Sequence, residues 1–112
     1  MYEQYQYLKN WRKYVKPVLK AIKEELGDAE VYLFGGVAKG KFTAASDLDI
    51  MVVIDKDLGD KEVRKLTLRI VDKAFSYGLP LDYPIDLHVV RPKDMWFYGK
   101  IKDKIKLSLG EV

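Results

Sequence analysis

Between Val31 and Ile54 two apolar runs are separated by a glycine pair and a polar connection: VYLF, then GG, then ten residues, then DLDIMVVI. Apolar runs this short, bounded by glycine and polar residues, read as strands. In the second run Leu48, Ile50, Val52 and Ile54 share one face. Asp47 and Asp49 begin the other face, which continues as Met51 and Val53. Apolar residues on both faces describe a central strand covered on both sides. The chain must therefore build layers around this strand and still place two charges at its start.

The flanking segments supply those layers. Leu8, Trp11, Val15, Val18, Ile22 and Leu26 recur at three- and four-residue steps, predicting a helix over 3–26. Pro17 lacks an N–H and crowds the carbonyl four residues back, so the helix is expected to kink there, with Gly27-Asp28 as its stop. Glu30–Phe34 is the first strand, Val37–Gly40 one or two helical turns, and Lys41–Ser46 a polar connection. Val63, Leu66, Ile70, Ala74 and Tyr77 form the stripe of a second helix, Lys61–Tyr77. Ile85–Val90 is a third strand, with Asp86 and His88 on one face. Phe97, Ile101, Ile105 and Leu109, spaced four apart, predict a last helix over Lys93–Leu109, weakened by Gly99. No repeat or linker divides the chain.

Composition excludes several classes. With 112 residues the chain suits a single domain spanning 1–112. There is no cysteine, which rules out disulfides and thiolate metal sites. No apolar run approaches a membrane span, and the N-terminus lacks a signal-peptide core, so a cytoplasmic protein is the expectation. Net charge is only +3, but the ends are basic and the middle acidic. That distribution suits solvated helix faces, and it could also draw a polyanion towards a central metal site.

The chemistry begins with Asp47 and Asp49. Residues two apart on a strand point the same way, with Cα atoms ~7 Å apart. Two ionised carboxylates at that distance repel by roughly 2 kcal/mol at an effective dielectric of about 20. A divalent cation would turn the repulsion into binding, and Mg²⁺, which takes one or two carboxylates with waters and substrate phosphates, suits it. If Ile85–Val90 pairs with the second strand, Asp86 joins as a third carboxylate, and three can hold two ions for in-line phosphoryl chemistry. Gly35-Gly36 adds backbone N–H groups that favour anions. His88 reads as a hydrogen-bonded strand histidine, with contact to an acceptor or phosphate as the alternative. Tyr2, Tyr5, Tyr7 and Trp11 read as cover for the core edge, with stacking on a base or partner as the alternative.

Gly35-Gly36, ten residues, Asp47-Leu48-Asp49 and then Asp86 on a later strand resemble the signature of the DNA polymerase β-like nucleotidyltransferase superfamily. The short chain more narrowly resembles the minimal nucleotidyltransferases of archaea and bacteria. The likeness covers about Ala29 to Val90. It implies an α+β fold, a small mixed sheet with helices packed on one side. It implies Asp47, Asp49 and Asp86 as Mg²⁺ ligands, two ions in all, with Asp86 also helping to deprotonate the acceptor. Gly35 and Gly36 would lie against the triphosphate, Lys39 could meet phosphate, and Ser46 occupies the usual polar position before the aspartates. The family signature has serine where this chain has Gly36; losing one hydrogen bond to a charged group costs roughly 1.5–3 kcal/mol, so weaker nucleotide binding is expected.

The activity so implied is transfer of a nucleoside monophosphate, foremost AMP from ATP, to a hydroxyl. The implied partners are the nucleoside triphosphate and a HEPN-domain protein, whose tyrosine can be the acceptor and which such proteins counter as antitoxins. A second copy of the chain is a further option. Nucleic acid ranks below these because no base-reading motif is present. The competing reading is a catalytically weakened module that binds nucleotide or neutralises a partner.

Overall fold

The computed structural model describes the backbone of residues 2–111 and the side chains of residues 3–110; the aromatic role suggested for Tyr2 lies outside the described side chains. Three strands form where the apolar alternation placed them. Strand β1 is Glu30–Phe34, β2 is Leu48–Val53 and β3 is Ile85–Val90. A fourth strand, β4 (Ile105–Leu107), completes a sheet of order β3-β2-β1-β4. β2 and β3 run parallel, and β1 is antiparallel to both β2 and β4. The fold is α+β with a mixed sheet, as expected.

The register explains how one sheet serves two purposes. Val31 and Leu33 lie opposite Val52 and Ile50, and Ile50 and Val52 lie opposite Leu87 and Val89. These side chains join the apolar stripes of helix α2 (Trp11–Leu26) and of the helix Asp60–Ser76 in one core. Burying an aliphatic side chain contributes roughly 1.5–3 kcal/mol, so this face supplies most of the driving force. The opposite face carries two cross-strand rows: Phe34, Asp49 and Asp86, then Tyr32, Met51 and His88. The strand parity that buries Leu48, Ile50 and Val52 thus commits Asp49 to the other side.

Two expectations are corrected. The N-terminal helix is broken at Asn10, giving α1 (Tyr2–Lys9) and α2, which runs on through Pro17. Asn10 explains the break: its Nδ2 and backbone N–H both donate to the Gln6 carbonyl at 3.0 Å, closing the first helix. Pro17 is accommodated inside α2, whose Val15, Val18, Leu19 and Ile22 are buried around it. Packing thus overrides the lost hydrogen bond. Gly27 caps α2 as expected, at φ 68.

The predicted helix Lys93–Leu109 does not form. A 3-10 turn (Pro92–Asp94) leads into a single turn, Met95–Tyr98, and the chain then extends into β4. Gly99 ends the turn, its N–H donating to the Met95 carbonyl at 2.9 Å. The competing structure is the open edge of β1, whose N–H and C=O groups are paired by β4 at Val31↔Leu107 and Leu33↔Ile105. Satisfying that edge outweighs a narrow apolar stripe through a glycine.

The aromatic residues of α1 cover the core edge. Tyr7, Tyr14 and Tyr83 meet with ring centroids 5.0–5.2 Å apart. The Tyr83 hydroxyl donates to the Tyr7 carbonyl at 2.9 Å, and the Tyr7 hydroxyl lies 3.1 Å from Asp82 Oδ1. Burial, then Asp82 and Glu3, raise the Tyr7 phenol to about 12. No helix among the described residues is long and apolar enough to cross a membrane.

Candidate functional site

The site lies where β1 ends and β2 and β3 begin. Numbering the remaining helices in chain order, α3 (Gly35–Ala38) follows β1, α4 (Asp60–Ser76) connects β2 to β3, and α5 (Met95–Tyr98) follows the Pro92–Asp94 turn. Because α4 returns the chain for a parallel pairing, Asp49 and Asp86 stand directly opposite each other. His88, two residues after Asp86, points to the same side. Its Nε2 lies 3.1 Å from Asp86 Oδ2 and 3.7 Å from Asp49 Oδ1. Donor atoms of Asp49, Asp86 and His88 all fall within 4.8 Å of one another.

The strand positions put these groups under electrostatic strain. The Asp49 carboxyl is pushed above its ordinary value, first by desolvation and then by the charge of Asp86; His88 opposes this. Burial disfavours a charge, and a like charge nearby adds to the penalty. A cation at this point would relieve both effects.

The glycine pair has specific steric duties. Gly35 has φ 76, a backbone that side chains seldom adopt, and a Cβ there would collide with the Asp49 carboxylate. The absent side chain is therefore what lets Asp49 lie against the turn. At Gly36 a Cβ would sit 2.7 Å from the Lys41 carbonyl oxygen. The Lys41 N–H also donates to the Gly36 carbonyl at 2.9 Å, so the loop is drawn tightly over this residue.

The other expected site residues are placed less centrally. Asp47 precedes β2 with an exposed side chain and is not in the three-residue group, although its charge still raises Asp49. Lys39 is exposed at the end of α3. Ser46 clasps its own loop: its Oγ accepts the Thr43 N–H at 3.0 Å.

Sequence reasoning underrates His88 and misses its supports. His88 Nδ1 lies 3.0 Å from the Tyr98 hydroxyl, and Phe34 packs edge-on against the imidazole at 5.0 Å. The sequence signal for His88 is its two-residue spacing from Asp86. No sequence signal marks Tyr98, because the apolar spacing of its segment predicts a long helix. Arg91 holds that segment: its Nε is 2.9 Å from Asp94 Oδ2 and its Nη1 is 2.8 Å from Asp60 Oδ1. Both acids are held below their ordinary range by the guanidinium.

Known proteins agree with this architecture. A family model described as a nucleotidyltransferase domain matches residues 15–109. Among solved structures, a proposed nucleotidyltransferase of Sulfolobus solfataricus superimposes with a TM-score of 0.62 at 22% identity, covering 92% of this chain and 80% of that one. A second proposed nucleotidyltransferase gives a TM-score of 0.53 at 26% identity, covering 87% of this chain and 97% of that one. No curated protein matches the chain. From the matched span and the paired aspartates behind a glycine turn, the chain belongs to the nucleotidyltransferase domain family, within the DNA polymerase β-like superfamily.

Proposed function

We propose that the chain transfers a nucleoside monophosphate, foremost AMP from ATP, to a hydroxyl in a divalent-metal-dependent reaction. One observation carries this reading: Asp49 and Asp86 face each other across parallel strands, beside a glycine turn that leaves room for the Asp49 carboxylate. The crowded carboxylates and the buried imidazole nitrogen fit a divalent ion, with Asp49 and Asp86 as the central carboxylates to hold it and Asp47 as a more exposed carboxylate before β2. When bound, Mg²⁺ or a similar ion would polarise the phosphoryl oxygens and acidify the acceptor hydroxyl.

The residues then divide the work. Asp86, exposed near the start of β3, would take the acceptor proton. The acceptor oxygen bonds to the α-phosphorus as the bond to the β-phosphate oxygen breaks, and pyrophosphate leaves. Gly35 and Gly36 would lie along the triphosphate, and exposed Lys39 would balance its charge. Ser46 acts on the loop through its bond to Thr43. The family resemblance suggests a tyrosine of a HEPN-domain partner as acceptor, with the chain acting as antitoxin. Incubation of the neighbouring gene product with this protein, ATP and Mg²⁺, followed by mass spectrometry, tests both ideas. A gain of one nucleotide unit, lost in the Asp47→Ala, Asp49→Ala double variant, is expected. Wild-type protein as inactive as that variant towards every hydroxyl acceptor tried would overturn the reading.

A second reading is favoured by Gly36. The Lys41 carbonyl occupies the space that the signature serine would need, so the turn is built without that hydroxyl. A module that binds nucleotide or neutralises its partner without turnover fits this geometry. Saturable binding of Mg-ATP in calorimetry, with no pyrophosphate released, would select it.

A further inference from the structure

The imidazole of His88 is held in an unusual position for an ordinary strand histidine. Its Nε2 has almost no solvent-accessible surface and no aligned hydrogen bond, yet it lies against two carboxylates. A buried polar atom left without an aligned hydrogen bond costs about 1–3 kcal/mol. The ring does not escape this by turning, because Phe34 packs against it and the Tyr98 hydroxyl lies 3.0 Å from Nδ1. When Nδ1 carries the proton and donates to Tyr98, Nε2 presents a lone pair towards Asp49 and Asp86. Fixing one ring nitrogen so that the other is free to coordinate is the usual task of a metal ligand's outer partner.

Donor spacing agrees. Ligands about 2.1 Å from one ion are separated by ~3.0 Å at right angles and by ~3.4 Å in a tetrahedron. The gap from Nε2 to Asp86, 3.1 Å, falls between these values, and the gap to Asp49, 3.7 Å, is slightly longer than the tetrahedral one. We propose that Asp49, Asp86 and His88 form a mixed oxygen–nitrogen site, in which His88 Nε2 tilts metal preference away from Mg²⁺ towards Mn²⁺. Mg²⁺ takes hard oxygen donors, whereas imidazole suits the first-row transition ions. This deepens the functional reading above and rests on it for the identity of the site. His88 becomes the residue that sets which ion the site accepts, and Tyr98 the residue that orients it.

The test uses binding, not turnover. Calorimetric titration of wild-type protein and His88→Gln with Mn²⁺ and with Mg²⁺ gives the ratio of the two affinities. That ratio is expected to fall at least ~10-fold in His88→Gln, the size of change that ligand-shell substitutions produce. Because the chain has one histidine, ¹⁵N NMR of the wild-type ring provides a second measurement that needs no variant. Added Zn²⁺, as a diamagnetic probe, should shift Nε2 while Nδ1 stays protonated. An unchanged affinity ratio, or ring nitrogens unmoved at saturating Zn²⁺, overturns the proposal. If nucleotidyl transfer with Mg²⁺ survives that result, the functional reading stands and only the assignment of His88 falls. If wild-type protein binds no divalent ion, both fall.

Discussion

Gly35→Ala separates the steric role of the glycine turn from its backbone role. The backbone effect comes from φ 76: forcing an L-residue into a positive-φ conformation costs roughly 1–2 kcal/mol. The steric effect is separate, because the new Cβ would meet the Asp49 carboxylate and drive it from Asp86 and His88. Gly40→Ala is the matched control, since Gly40 has φ 70 but a Cβ there would meet nothing within 4 Å. At about 4–8 °C per kcal/mol for a domain of this size, both variants should lose roughly 4–16 °C in thermal melting. Only Gly35→Ala should also weaken divalent-ion binding and cut nucleotidyl transfer by ~100-fold, the effect of a misplacement near 1 Å. Circular dichroism melts, metal titration and a pyrophosphate assay on the three proteins decide it. Equal losses of metal binding in the two variants would refute the steric argument, as would full activity in Gly35→Ala.

Four further outcomes follow from the same geometry. Asp49→Asn should stabilise the metal-free protein at pH 7. A raised carboxyl in the folded state contributes stability below its unfolded value and loses it as pH rises through the folded one, so the gain should vanish near pH 3. Glu25 has the opposite sign. Lys73 at 2.8 Å and Arg69 at 2.6 Å hold it below its ordinary range, joining α2 to α4. Its contribution is present above about pH 4.5 and lost on further acidification; Glu25→Gln should cost ~1 kcal/mol at pH 7, read by urea melts, and nothing at pH 2. Gly36→Ser should raise Mg-ATP affinity by no more than ~10-fold in calorimetry, because the hydroxyl's gain is offset by pressure on the Lys41 carbonyl. Pro17→Ala should stabilise α2 by about 1–2 kcal/mol, measured by chemical denaturation, because it restores a backbone donor inside an intact helix.

The chain's own pattern carried most of the architecture. Alternation in VYLF, DLDIMVVI and IDLHVV placed three strands to within a residue, because a strand covered by helices must present an unbroken apolar face. The glycine pair, its distance to Asp47 and Asp49, and Asp86 are local in the same sense: each can be read from residue type and spacing. The family follows from them.

Tertiary structure decided what depends on partners distant in sequence. Whether Phe97–Leu109 became helix or strand turned on the unpaired edge of β1, some seventy residues earlier, which no local propensity reports. Whether Asp47 or His88 stood with Asp49 and Asp86 turned on the parallel register of β2 and β3 and on Tyr98, brought back by the Pro92–Asp94 turn. Spacing along one strand can say which residues share a face. Only the pairing of strands says which of them bring their donor atoms within 4.8 Å of one another.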